Sequence, residues 1–158
     1  MIDIKKVYIQ AFLAIKNDTQ LLDLLDVEHE NVDTNTLMTN LREQVVEAST
    51  PENLLNNYKT RLCIHERDGG YRGRREAVDY LVIDVHIPKD RNMQTGRLSD
   101  IVKRLIEVLD TDQRKKQGLQ PLSVGLYGLK YNTRTFSDRS GTTGWEKYSV
   151  VFEYRYIL

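Results

Sequence analysis

The sequence is poor in the residues that staple or anchor a chain. A single cysteine, Cys63, among 158 residues rules out an intrachain disulfide framework and a cysteine-rich zinc site, and fits a reducing compartment. There is no charge excess. Lys and Arg number 23, as do Asp and Glu, so the bulk positive field that grips a phosphate backbone is missing. Long apolar runs are absent too: stretches such as Tyr80–Ile83 and Ser149–Phe152 are a few residues long, far short of the ~20 residues needed to span a bilayer, and no membrane contact is expected. The first residues, Met-Ile-Asp-Ile-Lys-Lys, carry charge where a leader would be apolar, which predicts no signal peptide. Zero net charge leaves little repulsion between copies and suits self-association.

What is present is ordinary globular usage, 40% apolar and 29% charged, which argues against disorder over most of the chain. At ~100–200 residues per domain, 1–158 reads as a single domain, with a helical segment over 1–57 and a core over 58–158. Ile4, Val7, Tyr8, Ala11, Phe12 and Ile15 recur at threes and fours and predict an amphipathic helix. Beyond the cap-type residues Asn17, Asp18 and Thr19, the cluster Leu21, Leu22, Leu24 and Leu25 predicts a short helical turn that must be buried. A polar, acidic loop follows. A helix restarting at Asp33 or Thr34 would turn Leu37, Met38, Leu41, Val45 and Ala48 inward, and Ser49-Thr50-Pro51-Glu52 starts another through Leu54 and Leu55.

After Tyr58 the period changes to two. Thr60–Arg67 alternates as a half-buried strand, Asp68-Gly69-Gly70 begins a turn, and Tyr71-Arg72-Gly73-Arg74-Arg75 extends it into a basic tip. Ala77–Ile87 is apolar on both faces and predicts a central strand ended by Pro88. Lys89–Gly96 reads as a loop before the clearest helix, Leu98–Leu109, with Leu98, Ile101, Val102, Leu105, Val108 and Leu109 on one stripe. Asp110–Gln120 reads as a loop, Leu122–Tyr131 as a strand with Gly125 and Gly128 at close backbone approaches, Thr133–Gly144 as a loop, and Trp145–Ile157 as the last strand. The fold class is therefore α+β: about four strands, mostly antiparallel, in the order β-β-α-β-β, with packed helices and an N-terminal helical segment.

No catalytic pattern stands out. The Gly69–Gly73 stretch lacks the Lys-Ser/Thr ending of a phosphate loop. Cys63 and His65 share one strand face, as do Asp84 and His86, so one register would gather four metal ligands, while another would set Asp84 opposite Arg61 as an ion pair. A metal-dependent nuclease or hydrolase would use Asp79 or Asp84 with Glu66, or Asp84 with His86. No Gly-x-Ser-x-Gly elbow exists for a Ser-His-Asp hydrolase. Neither catalysis nor a cofactor is expected. The tyrosines are more telling: 9 against 3 phenylalanines, with Tyr127, Tyr131, Tyr148, Tyr154 and Tyr156 near the C-terminus. Tyr148, Tyr154 and Tyr156 read as core-facing and the others as suited to an interface. The tips bearing Tyr71, Arg72, Arg74 and Arg75, and Arg134 and Arg139, read as docking arms.

The order of these parts resembles the tail terminator, or tail-completion, proteins of long-tailed bacteriophages. The resemblance runs through the amphipathic helix, the leucine-rich turn, the strands Arg61–Glu66 and Leu81–Pro88, the helix Arg97–Leu109, and the closing segments Gly125–Tyr131 and Gly144–Tyr156; the helical stretch Asp33–Asn57 departs from it. It implies a structural virion component of the tail, assembled in the host cytoplasm. A hexameric ring would cap the tail tube, stop its polymerisation and meet a head-completion or connector protein. Another neck or adaptor protein is the alternative of the same class. Arg72, Arg74, Arg75, Arg134 and Arg139 would face tube proteins or DNA passing through the lumen. Positive charge gathers at Arg72–Arg75 and Arg114–Lys116 and acids from Asp18 to Asp33, which predicts opposite faces of opposite sign.

Overall fold

A computed structural model describes residues 4–48, 58–71, 73, 75–137 and 143–157. Along the chain come α1 (Ile4–Lys16), α2 (Thr19–Leu24), α3 (Thr34–Gln44), β1 (Val45–Glu47), β2 (Arg61–Tyr71) and β3 (Glu76–Pro88). Then follow α4 (Lys89–Thr95), α5 (Arg97–Leu109), α6 (Thr111–Lys116), β4 (Lys130–Ser137) and β5 (Trp145–Ile157). The α+β class holds, and the predicted start of a helix at Ser49 lies outside the described residues.

The strands form one sheet in the order β1-β2-β3-β5-β4. All neighbours are antiparallel except β1, which runs parallel to β2. The sheet therefore has one strand more than expected. Val45 leaves α3 instead of extending it, and pairs with Leu62. Period two then sorts the side chains. Leu62 and Ile64 of β2, Leu81, Ile83, Val85 and Ile87 of β3, and Val150, Phe152 and Tyr154 of β5 meet the helices in one core with Val7, Ala11, Phe12 and Ile15 of α1 and the whole predicted stripe of α5. Each such large apolar side chain contributes about 1.5–3 kcal/mol on leaving water. Leu21, Leu22 and Leu25 are buried beside them, which answers what covers the leucine-rich turn.

Local polar chemistry sets the joints. Asp18 caps α2 by accepting from the Leu21 amide at 3.0 Å, and its carboxylate also takes two hydrogen bonds from Arg104 of α5, at 2.9 and 2.5 Å. Asp33 caps α3 through the Thr36 amide. Buried Gln44 donates to the carbonyls of Leu25 and Thr60, tying the end of α3 to the approach to β2.

Four boundaries differ from the sequence reading. Lys89–Thr95 is helical, ended by Gly96 at φ 62°. Thr111–Lys116 is helical because Asp110 caps it and Arg114, Lys115 and Lys116 suit the negative end of its dipole. β2 continues through Asp68-Gly69-Gly70 to Tyr71, with a bulge between Arg67 and Gly70. Most consequential, the fourth strand is 130–137, so Thr133–Ser137 is strand where a loop was expected, and 122–128 is irregular chain. There, Leu126 donates its amide to the Arg155 carbonyl, and Thr111 donates its hydroxyl to the Tyr127 and Leu129 carbonyls. Gly125 and Gly128 both have positive φ, and a Cβ on Gly125 would lie 2.2 Å from the Arg155 carbonyl oxygen. The expected close approaches are therefore real, but they lie in the loop that feeds β4.

Candidate functional site

The sheet face away from the helices carries Cys63, His65, Asp84 and His86. Register sets Cys63 opposite Asp84 and Asp84 opposite Ser149, while Arg61 faces His86 and His86 faces Lys147. Arg61 and Asp84 are therefore not cross-strand partners. A serine, an aspartate and a histidine do meet here, with the aspartate in the middle: Ser149 Oγ donates to Asp84 Oδ1 at 2.5 Å, and His65 Nε2 lies 2.9 Å from Asp84 Oδ2. General-base activation needs the imidazole against the hydroxyl. Here the carboxylate lies between them, so the His65 imidazole is not set against the Ser149 hydroxyl.

The metal and nuclease arrangements fare no better. Among the described residues no group of three or more His, Cys, Asp or Glu is placed to hold a metal ion. Cys63 is fully buried, and burial with Asp84 nearby pushes its thiol up to about 12, so it offers little thiolate as ligand or nucleophile. Glu66 and Asp79 belong to the helix side of the sheet and Asp84 to the other, because Glu66 faces Leu81 while Asp84 faces Cys63. Asp79 is engaged by the Tyr156 hydroxyl at 2.9 Å and the Gly69 amide at 3.0 Å. Burial pushes the Tyr154 phenol above its ordinary range, with Glu66 and Asp79 adding to it. His86 is an unforeseen feature: only 2% exposed, with neither ring nitrogen hydrogen-bonded among the described residues, it is lowered to about 4 by burial.

The candidate docking residues are dispersed. Arg72, Arg74 and Arg139 lie outside the described residues. Tyr71 ends β2 opposite Ala77, and Arg75 is exposed just before β3. Arg134 is not in a loop: it lies within β4, opposite Val150. The β2–β3 connection leaves the sheet beside Ile157, whereas β5 begins opposite Pro88 at the far end, so the two connections leave the sheet at opposite ends.

The two edges of the sheet hold surfaces that loop reasoning missed. On the helix side of β4, Tyr131, Arg134 and Phe136 form a row opposite Phe152, Val150 and Tyr148. Tyr131 packs edge-on against Phe152 and Phe136 against Tyr148, yet the two rings stay 37% and 49% exposed. The β-branched and aromatic residues Tyr131, Thr133, Thr135 and Phe136 were the signal available for this strand. At the other edge, β1 stops at Glu47 opposite Ile64 while β2 runs on to Tyr71. Beside that step lies a cavity of about 240 Å³ lined by the apolar groups of Tyr8, Ile64 and Leu81 and by Glu47, His65 and Glu66. The Tyr8 hydroxyl donates to the Val45 carbonyl at 3.5 Å, and burial raises its pKa.

These features define a class by fold: a five-stranded mixed sheet, helices on one face, and a polar opposite face without assembled catalytic groups among the described residues. No helix in the described residues is long and apolar enough to cross a membrane. No protein-family model and no curated protein matches the chain. A solved structure shares the fold: a chain of the virion of a native gene transfer agent (GTA) particle, superposing with a TM-score of 0.55 at 14% identity over 94% of this chain and 92% of that one.

Proposed function

We propose that this chain is a non-enzymatic structural protein of a virion, a tail terminator whose copies close into a hexameric ring on the end of a phage tail tube. There it stops tube growth, meets the head-side connector protein and, through its arginine tips, touches DNA in the lumen. The observation that carries the reading is the fold shared along nearly the whole chain with a component of a gene transfer agent virion. The element order that resembles tail terminators supports it. The carboxylate-centred Ser149–Asp84–His65 contact and the split of Asp79 and Asp84 between faces weigh against hydrolase and nuclease readings.

The test is copurification with tail tubes made in the absence of heads. A terminator binds the end of the tube and limits its length; a head-closure or adaptor protein leaves headless tubes unbound. Gel filtration with light scattering over a range of concentrations tests the ring, with a hexamer-sized species as the expected result.

A further inference from the structure

We propose that the β4 edge of one copy docks on the β1–β2 edge of the next, with an aromatic ring of β4 entering the cavity beside Tyr8 and Arg134 meeting Glu47. This rests on the ring reading and names its interface. The two edges lie at opposite ends of the strand order, so the contact is head-to-tail, the kind that propagates around an axis instead of closing a pair.

Three observations converge on a second copy as occupant. Among the described residues, backbone pairing is available on both sides. β4 is an edge strand whose residues 130–136 are exposed, with no proline in Lys130–Ser137. On the opposite edge β1 covers β2 only as far as Ile64. Unsatisfied strand edges are templates for another strand unless a protein blunts them, and β4 has neither a covering element among the described residues nor an acidic side chain along its length.

The side chains fit by chemistry. Tyr, Phe and Arg are the types enriched at the energetic centres of interfaces, and β4 presents all three on one face. Tyr131 and Phe136 are braced by Phe152 and Tyr148, so little rotamer freedom is lost on docking. The receiving cavity of about 240 Å³ has the apolar lining groups an aromatic ring needs.

Charge is complementary as well. β4 carries Lys130 and Arg134 and no acid, while the lining of the cavity carries exposed Glu47. An isologous β4–β4 pairing would instead bring two basic strands together, which like-charge repulsion disfavours.

The experiment is a charge swap in the full chain, read by sedimentation velocity. Wild type is expected to assemble, whereas Glu47→Arg and Arg134→Glu alone each raise the dissociation constant of the assembly by about tenfold or more. Mixing the two single variants restores assembly, since alternating copies offer one native and one reversed pair at successive contacts. Phe136→Ala weakens assembly without being restored by either partner. If wild type assembles and the reversals assemble equally well, the edge contact is wrong and the ring stands on another surface. A wild-type chain that stays monomeric at millimolar concentration overturns the edge contact and the ring together. Thermal melts of each variant separate loss of contact from loss of folding, because Glu47, Arg134 and Phe136 are exposed.

Discussion

His86 is buried with neither ring nitrogen hydrogen-bonded among the described residues. An imidazole buried without hydrogen-bond partners costs free energy, and it stays neutral because charging it there is worse. Its value of about 4 lies below the ordinary 6.5. At neutral pH neither the folded nor the unfolded chain protonates this ring. As pH falls through 6.5 the unfolded chain binds the proton first, so stability drops from there until the folded state also protonates near 4. The loss over that window is roughly 3 kcal/mol. Groups bearing on the ring are Asp84, which favours its charge, and Lys147, which opposes it. Replacing His86→Leu is expected to remove this slope and raise stability at pH 7 by about 1 kcal/mol, measured by urea unfolding at a series of pH values. An unchanged slope in the variant would place the acid sensitivity elsewhere.

At the scale of elements, the helices are held to one another by few side chains. Asp18 caps α2 and holds Arg104 of α5 by two hydrogen bonds, which also raises the guanidinium pKa. Asp18→Ala is expected to cost about 2 kcal/mol, the sum of a lost cap and a part-buried ion pair, whereas Glu107→Ala, which removes only Arg104's second partner, should cost less than 1 kcal/mol, by about the value of a surface pair. Chemical denaturation of the two variants checks the order. The loop into β4 depends on backbone contact instead. Gly125→Ala sets a Cβ at positive φ and 2.2 Å from the Arg155 carbonyl oxygen, so a loss of about 2–4 kcal/mol is expected; a circular-dichroism melt shows it. Elements with an apolar period were legible in the sequence: α1, α5, β3 and β5 fall where their stripes put them. Those that were not lack such a period. α6 reads Thr-Asp-Gln-Arg-Lys-Lys, a helix defined by its cap and dipole; β1 is too short at three residues to show a repeat; and β4 is an exposed edge whose bulge between Tyr131 and Thr133 breaks its alternation. The candidate site suffered most, because Arg134 changes from a loop tip to an edge-strand residue once β4 is placed.

Across the whole molecule, zero net charge includes pairs that close within one subunit. The acids between Asp18 and Asp33 are largely engaged within the subunit: Asp18 by Arg104, Asp26 by Arg91 and Arg97, Asp23 by His29, and Asp33 by the first turn of α3. On the basic side, Arg114 donates to the carbonyls of Gln120 and Val108. Glu28 and Glu30 of the early acidic stretch are exposed. If copies meet edge to edge, the contact combines an aromatic anchor and strand hydrogen bonding with few ion pairs, and only the last of these is strongly screened by salt. Raising ionic strength from about 0.1 M to 1 M shortens the screening length from about 10 Å to about 3 Å. Assembly is therefore expected to weaken only a few-fold over that range, and a loss of a hundredfold or more would reveal a contact built mainly on charge. Sedimentation at several salt concentrations distinguishes the two, and the Phe136→Ala variant separates the contributions: the apolar anchor adds to the charge pairs, so its loss lowers the assembly constant by the same factor at every salt concentration and leaves the slope against salt equal to that of the wild type.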